Sequence, residues 1–525
     1  MVVPELRPWR AARPHVARVA SAVRPRLARA ATAVGPQAAR LGRAVSTQVT
    51  TVKTWQYTAG AAIAGLALTA SVVTAAGPWD SSGQRTAEKD RAAARDHTGG
   101  TDHGRTSATT SRAPRPAPSA ASVLTGLGGT ADSARTAPAE KALSDLLKPL
   151  LDVPALGARH TAAVVDVTTG KRLYGTRADE AFVPASTTKI ATAAAALSAL
   201  GPDHRLTTRA ALEPDTRELV LVGGGDPTLT AREDAEGWAS LRTLAADTAA
   251  ALKKQRITEV TLSYDTTLYA RDEIHPIGVN DNLAPVTALM ADEGRTDDSN
   301  AGPAPRVADP AADAARTFAA LLKDHGITTT SPGPSKATGR ARTLATVSSP
   351  PLSTLVERML THSDNDIAEA LARHTAVATG ERADFDGAGR AIHDRLKQLR
   401  LPVSGARFKD GSGLDRDDRL TTGLLTALLA KSADPSRPEL RAVLTGLPVA
   451  GFTGTLTSRY TDGAAGVVRA KTGTLTGVNA LAGTVVDQDG HLLAFAFLAA
   501  GTTDRGAAQS ALDSTATALA ACGCR

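Results

Sequence analysis

From Ala139 onward, apolar positions switch between a period near 3.6 and a period of 2, and the switches outline a succession of helices and strands. Leu143, Leu146, Leu147, Leu150 and Leu151 fall on one wide face of a helix predicted over Ala139–Asp152. His160–Asp166 and Lys171–Tyr174, joined through Thr168-Thr169-Gly170, read as a β-hairpin that runs directly into an alanine-rich helix ending at Leu200. Strand-like runs at Leu206–Ala211 and Glu218–Val222 stop at Gly223-Gly224-Gly225-Asp226-Pro227. No Lys-Ser/Thr follows where a phosphate cradle requires it, so the glycines read as a tight turn. Residues 236–255 are helical in pattern, Ile257–Tyr264 a strand, 281–310 irregular and polar, and Ala311–His325 helical again.

Leu352–Ala376 keeps helical spacing except at His362-Ser363-Asp364-Asn365, which reads as a loop between two helices. Further helices are predicted at 383–398 and 421–431, separated by the turn-rich Lys409-Asp410-Gly411-Ser412-Gly413. Gly466–Thr474, Val478–Val486 and His491–Ala499 make three antiparallel strands with a turn at 487–490, and a final helix covers 504–520. Helices around an antiparallel sheet imply an α+β domain built from 139–210 and 345–525, interrupted by a smaller inserted domain at 211–344.

The N-terminal third follows different rules. Tyr57–Trp79 contains no charge and has the length of a membrane-spanning helix, with Trp55, Tyr57 and Trp79 at its ends. One transmembrane helix is therefore expected within 54–79. Small residues at Thr74-Ala75-Ala76 leave signal-peptide cleavage as the alternative, and the long basic segment before the span favours an uncleaved anchor. Residues 1–53 hold ten of the chain's basic groups and one acid, Glu5, a local charge of +9 against +7 for the whole chain. The positive-inside rule then makes 1–53 a cytoplasmic tail and places the rest outside a bacterial cell membrane, in single-pass topology. Residues 80–138, rich in Ser, Thr, Gly, Pro and mixed charge, read as a disordered linker.

Charge and composition narrow the function. With the tail removed the remainder carries −2, which excludes the basic footprint of a nucleic-acid binder. Hydrophobic residues make up 42% of the chain and aromatic ones 3%, so the core is built mainly of Ala, Leu and Val. The two cysteines, Cys522 and Cys524, stand too close for an unstrained disulfide and read as a frayed tail or a labile pair. No His/Cys/Asp spacing supplies a metal site, and no cofactor is implied.

The candidate chemistry begins at Pro184-Ala185-Ser186-Thr187-Thr188-Lys189-Ile190. Ser186 and Lys189 lie one helical turn apart, so the amine reaches the hydroxyl and can take its proton. Ser363-Asp364-Asn365 and Lys471-Thr472-Gly473 follow in the order known for serine enzymes that form acyl intermediates. Ser363 is placed to relay the proton to a leaving amine, and the Asn365 amide to hold the substrate backbone. Lys471 supplies positive charge toward an anionic substrate end and is expected to depress the pKa of Lys189. Gly473 leaves room for a substrate strand at the sheet edge. Thr472 and Thr474 offer hydroxyls to a carboxylate, and the Thr474 N–H completes an oxyanion hole with that of Ser186.

With these motifs, and with Leu221–Leu229, Asp410-Gly411-Ser412-Gly413-Leu414 and Lys471–Leu475, the chain over 139–522 resembles serine D-alanyl-D-alanine carboxypeptidases. The resemblance is closest to the penicillin-binding protein 4 (DacB-like, peptidase S13) family. It implies a penicillin-binding/β-lactamase-like transpeptidase domain and an acyl-enzyme on Ser186. It also implies release of terminal D-alanine from peptidoglycan stem peptides, with endopeptidase activity known in the family, and covalent inhibition by β-lactams. The family usually carries two inserted domains between its first two motifs. Here the spacing is shorter, so the second, expected at 291–310, is missing or vestigial. Asp415 and Thr453 stand where Ser and Asp are expected. The alternatives are a β-lactamase, whose E-x-x-L-N loop is matched only as far as Pro438-Glu439-Leu440, and a non-catalytic wall-binding protein.

Overall fold

A computed structural model describes residues 138–270, 274–460 and 463–524. The expected tail, the 54–79 span and all but the last residue of the linker lie outside the described residues. Among the described residues no helix is long and apolar enough to cross a membrane.

Two sheets organise this part of the chain. The first has the order β2-β1-β11-β10-β9, all antiparallel, from β1 (Arg159–Asp166), β2 (Arg172–Thr176), β9 (Arg469–Leu475), β10 (Val478–Val486) and β11 (Leu492–Ala500). Residues alternate between the two faces along each strand, and both faces are covered. Leu481, Val485, Leu493, Phe495 and Phe497 meet α1 (Glu140–Leu151) and the C-terminal α10 (Arg505–Ala520). Ala480, Ala482, Ala494 and Ala496 face α2 (Thr188–Leu200) and α8 (Thr422–Ser432). Small residues on this second face let α2, itself alanine-rich and buried from Thr188 to Leu197, lie close to the sheet.

Around α2 pack α5 (Leu352–His362), α6 (Asn365–Thr379) and α7 (Phe385–Gln398). The short α9 (Ala442–Thr445) completes this layer. The break seen in the sequence between α5 and α6 is sharp. Ser363 adopts a left-handed conformation with φ 61°, and the Asp364 carboxylate caps α6 by accepting the Ile367 N–H at 3.0 Å.

The second sheet spans Thr207 to Ser348, slightly wider at both ends than the 211–344 of the sequence reading. Its order is β6-β5-β4-β3-β8, from β3 (Thr207–Leu212), β4 (Glu218–Val222), β5 (Glu259–Asp265), β6 (Thr328–Thr329) and β8 (Arg342–Ser348), with β7 (Gly333–Pro334) pairing with β5. β4, β5 and β6 are parallel, joined through α3 (Leu241–Lys254) and α4 (Pro310–Asp324), so this lobe is a mixed sheet with its own core around Phe318, Leu244 and Leu262. Residues 291–306 form no further sheet. They make one 3₁₀ turn and fold back at an Arg295–Arg306 bridge.

The Gly223–Gly225 turn is also a close approach. A Cβ at Gly223 would collide with the Ala288 backbone and one at Gly224 with that of Thr207. At Gly225 (φ 72°) it would collide with Tyr269 and with His374 of α6, so the turn seats the lobe against the first domain.

At the C-terminus the structure takes the paired alternative over the frayed one. Cys522 and Cys524 are joined by a disulfide, Cys522 is buried beside Leu519, and the Cys524 carbonyl accepts the Ala139 N–H at 2.8 Å. The tail is held where α1 begins instead of fraying, because α1 and α10 pack on the same face of the first sheet.

Candidate active site

Ser186 sits in a 3₁₀ turn, Ala185–Thr187, that leads into α2. Ala185 holds φ 47°, a strained conformation for a residue with a Cβ, and its surroundings impose it. A side chain at Gly413 would strike the Ala185 carbonyl, and a Cβ at Gly473 would come within 2.7 Å of the Pro184 carbonyl. These two glycines let the 410–415 turn and β9 clamp the serine turn. The absent side chain of Gly473 thus makes room for the chain's own backbone at Pro184.

Lys189 is fully buried. Its Nζ lies 3.1 Å from Ser186 Oγ, 2.7 Å from Asn365 Oδ1 and 2.7 Å from the Ser412 carbonyl. Asn365 Nδ2 donates to the Asn282 carbonyl at 2.8 Å, which fixes the orientation of the amide. Asn365 Oδ1 and the Ser412 carbonyl only accept, so together they take both hydrogens of a neutral amine. The lone pair then points at the Ser186 hydroxyl, the arrangement a general base needs. Burial lowers the Lys189 pKa to about 8, while Asp410, Glu369, Asp364 and Asp366 pull it back up.

Lys471 is fully buried as well, and donates to Ser363 Oγ at 2.8 Å and to the Thr472 carbonyl at 2.9 Å. Its pKa falls well below the usual lysine value, first through burial and then through repulsion from Lys189. Burial is the larger cause for both amines, and the repulsion between them disfavours a second charge beside the first. Lys471 is also turned toward Ser363, so it acts on the second motif's hydroxyl.

The structure therefore brings Ser186, Lys189, Ser363, Asn365 and Lys471 into one hydrogen-bonded set. Thr472 Oγ1 is engaged with Thr455 at 3.0 Å, and Thr474 Oγ1 accepts from Gln509 at 3.4 Å. Of these two threonines, Thr474 lines the cavity of about 290 Å³ that also exposes Ser186, Ser363 and Asn365. β9 is the edge strand of its sheet; its start is covered, with Val449 bridging Arg469 and the Ala470 N–H donating to the Pro448 carbonyl at 3.0 Å, so the edge from Thr472 onward is the part that can take an extended peptide. The remaining cavity wall includes Asn282, Pro303 and Arg306 of the inserted lobe. The irregular stretch after Asp281 is thus part of the site, which its polar composition alone did not show.

Other neighbours of the site were read only as part of a turn or a helix. Ser412 contributes a carbonyl, and Glu369 accepts the backbone N–H groups of Gly411 and Ser412. Thr453, where Asp was expected, accepts the Val449 N–H at 2.8 Å and closes its own turn. Two buried sets have the donor types of a metal site, His275/Glu369/Asp410 and Glu293/Asp364/Asp366. Their carboxylates are already engaged, the first set by backbone N–H groups and the second by Arg295 and Arg306. The carboxylates lining the cavity are Asp364, which caps α6, and Asp366, which pairs with Arg306 at 2.8 Å. Glu439 is held in a 3₁₀ turn beside Arg437, away from the cavity wall.

The chain is similar to known carboxypeptidases. A family model described as D-Ala-D-Ala carboxypeptidase 3 (S13) matches residues 142–305 and 297–521. A carboxypeptidase of Mycobacterium tuberculosis is 36% identical over 427 residues, covering 79% of this chain and 91% of that protein. Carboxypeptidase DacB of Mycolicibacterium smegmatis is 36% identical over 426 residues, covering 78% and 90%. Penicillin binding protein 4 of Haemophilus influenzae has the same fold at a TM-score of 0.59 and 21% identity, over 71% of this chain and 97% of that one. The fold is therefore α+β and penicillin-binding/β-lactamase-like, with helices flanking the sheets.

Proposed function

The chain belongs to the D-Ala-D-Ala carboxypeptidase S13 family, and from that premise we propose that it releases the terminal D-alanine of peptidoglycan stem peptides through an ester on Ser186. The observation that carries the residue assignment is the set of three partners around Lys189 Nζ. Lys189 accepts the Ser186 proton as Oγ attacks the penultimate carbonyl. Ser363, held by Lys471, gives its proton to the leaving nitrogen, and the proton on the Lys189 ammonium passes through Lys471 to Ser363, which leaves Lys189 neutral again. Water then attacks the ester with Lys189 again as base, and Ser186 recovers its hydroxyl.

β-Lactams present a strained amide to the same serine and are expected to label it covalently. The relatives' names and the β-lactam complex of the Haemophilus protein support this reading. Both carboxylates of the cavity are committed to a cap and an ion pair. Neither is placed as a dedicated base for rapid deacylation, so the label is expected to be long-lived. Fluorescent penicillin incubated with the full chain should give a band that persists after free label is removed. Prompt release of hydrolysed drug would instead indicate a β-lactamase, and no label would overturn the acyl-enzyme reading.

Acylation should also depend on pH in a defined direction. Lys189 acts as base only when neutral, so the rate should rise with pH through about 8 and then level off. At pH 7 roughly a tenth of Lys189 is neutral, against well under a thousandth for an unperturbed lysine. A pH–rate profile of penicillin acylation measures this, and a midpoint above about 10 would contradict the base assignment.

Residues 54–79 are proposed to anchor the protein in the bacterial cell membrane, with 1–53 cytoplasmic and the catalytic part outside, a reading supported by the uncharged run and the arginine excess before it.

A further inference from the structure

We infer that His275, carried by the inserted lobe, is a positioning residue for Lys189, acting through the Asp410 carboxylate and the turn that presents the Ser412 carbonyl. The inference rests on Lys189 being the base. His275 lies 135 positions before Asp410 in the sequence, yet its Nε2 is 2.9 Å from Asp410 Oδ2 and both side chains are buried. The imidazole packs edge-on against Phe385, with ring centroids 5.1 Å apart. Its Nδ1 accepts the Ile277 N–H at 3.2 Å, so the neutral ring carries its proton on Nε2. Burial opposes a charge on this ring, whereas the bond to Asp410 and the Glu369 and Asp415 carboxylates outweigh it and raise its pKa. In either state a proton lies between Nε2 and Asp410.

Asp410 and Glu369 together hold the turn. Asp410 accepts the N–H groups of Gly413 and Asp415 at 2.5 and 2.7 Å, and Glu369 accepts those of Gly411 and Ser412. The Ser412 carbonyl is thereby aimed at Lys189 Nζ, 2.7 Å away. The same two carboxylates favour the ammonium form of Lys189, as do Asp364 and Asp366 at the start of α6, while Lys471 of β9 faces it with like charge. Beneath the turn, Asp418 also faces Asp410 and accepts the Thr188 hydroxyl at 3.2 Å, and Lys409 is paired with Asp386. Burial and the bond to Asp410 raise the Asp418 pKa well above the usual carboxylate range, so Asp418 also offers Asp410 a proton; of the two donors, only His275 belongs to the inserted lobe. Without it, Asp410 would bind the Lys189 proton more strongly and weaken the base near neutral pH. The inserted lobe would then be needed for the pH range in which the serine reacts.

The test is the pH profile of acylation by fluorescent penicillin, measured on the full chain. His275→Leu should move the midpoint to the alkaline side by about one unit, slowing acylation roughly tenfold below it while leaving the high-pH plateau close to wild type. His275→Gln, whose amide can still donate to Asp410, should retain the wild-type midpoint. Asp410→Asn removes the charge and should shift the midpoint the opposite way, toward acid. A His275→Leu profile with an unmoved midpoint and a lowered plateau would reduce His275 to a packing role and overturn the inference. Should His275→Leu fail to fold, the direction of the Asp410→Asn shift decides: an alkaline shift or none refutes it. Failure of the wild-type chain to label at any pH would instead remove the acyl-enzyme reading on which this rests.

Discussion

Ser186→Ala is expected to take no penicillin label and to release D-alanine from stem peptides no faster than background, a loss of at least ~10⁴-fold. No neighbouring group can replace the hydroxyl. Thr187 Oγ1 is turned away to the Pro184 carbonyl at 2.7 Å, and Ser363 Oγ is held by Lys471. Lys189→Met should come close to the same loss, because Ser186 and Lys189 act as one unit and their effects do not add. The double variant should therefore be little worse than either alone. Persistent labelling of Ser186→Ala would show that another nucleophile carries the reaction. Since the substitution removes one oxygen atom from a turn clamped by Gly413 and Gly473, thermal unfolding should be nearly unchanged, which separates lost chemistry from lost structure.

Arg306→Met is expected to be the most destabilising of the polar substitutions at the site. The guanidinium is almost fully buried, donates to Asp366 Oδ2 at 2.8 Å and to the Glu293 carbonyl at 2.5 Å, and so ties the inserted lobe to the start of α6. Removing one partner of a buried ion pair leaves the other charge uncompensated, at a cost of roughly 3–5 kcal/mol. Burial has already raised the Asp366 pKa to about 7 against the opposing pull of Arg306. An acid whose folded pKa lies above its unfolded value loses stability as pH rises from the ordinary carboxylate range through about 7. Without Arg306 that window extends upward, so the deficit should be largest above neutral pH and smaller near pH ~5. Denaturant unfolding of the full chain at the two pH values measures this. A loss below ~1 kcal/mol at alkaline pH would mean the pair contributes little. Adding Asp366→Asn should recover part of the loss, because no carboxylate is then left without its partner. Acylation should fall along with stability in the single variant, because Asp366 directly follows Asn365 on α6.

Much of the architecture can be read from local pattern. The β1–β2 hairpin, the buried α2, the break between α5 and α6 and the three C-terminal strands each follow from apolar spacing within one element. Steric preference and periodic burial act over a few residues, so a short window contains their cause. Other features escaped because their causes are distant in sequence. The parallel pairing of β4 with β5 depends on a crossover helix between them, and the irregular polar stretch after Asp281 gave no hint that Asn282 would hold Asn365. Ser412, Glu369 and His275 sit in turns or on a helix whose local pattern looks ordinary, and what they do depends on partners up to 223 residues away.

By itself the sequence determined the order of the elements, the candidate nucleophile Ser186, the amine one turn after it, and the two motifs that complete the set, because these rest on residue type and short spacing. Only the tertiary structure decided that Lys189 is buried with two acceptors and one hydroxyl around it, that Lys471 serves Ser363, and that Gly473 clears space for Pro184. The physical reason is that the pKa of an amine sums desolvation and charge over every group packed around it. Four of the carboxylates acting on Lys189 lie on α6, at its cap or in the 410–415 turn, and only folding brings them within range of Ser186.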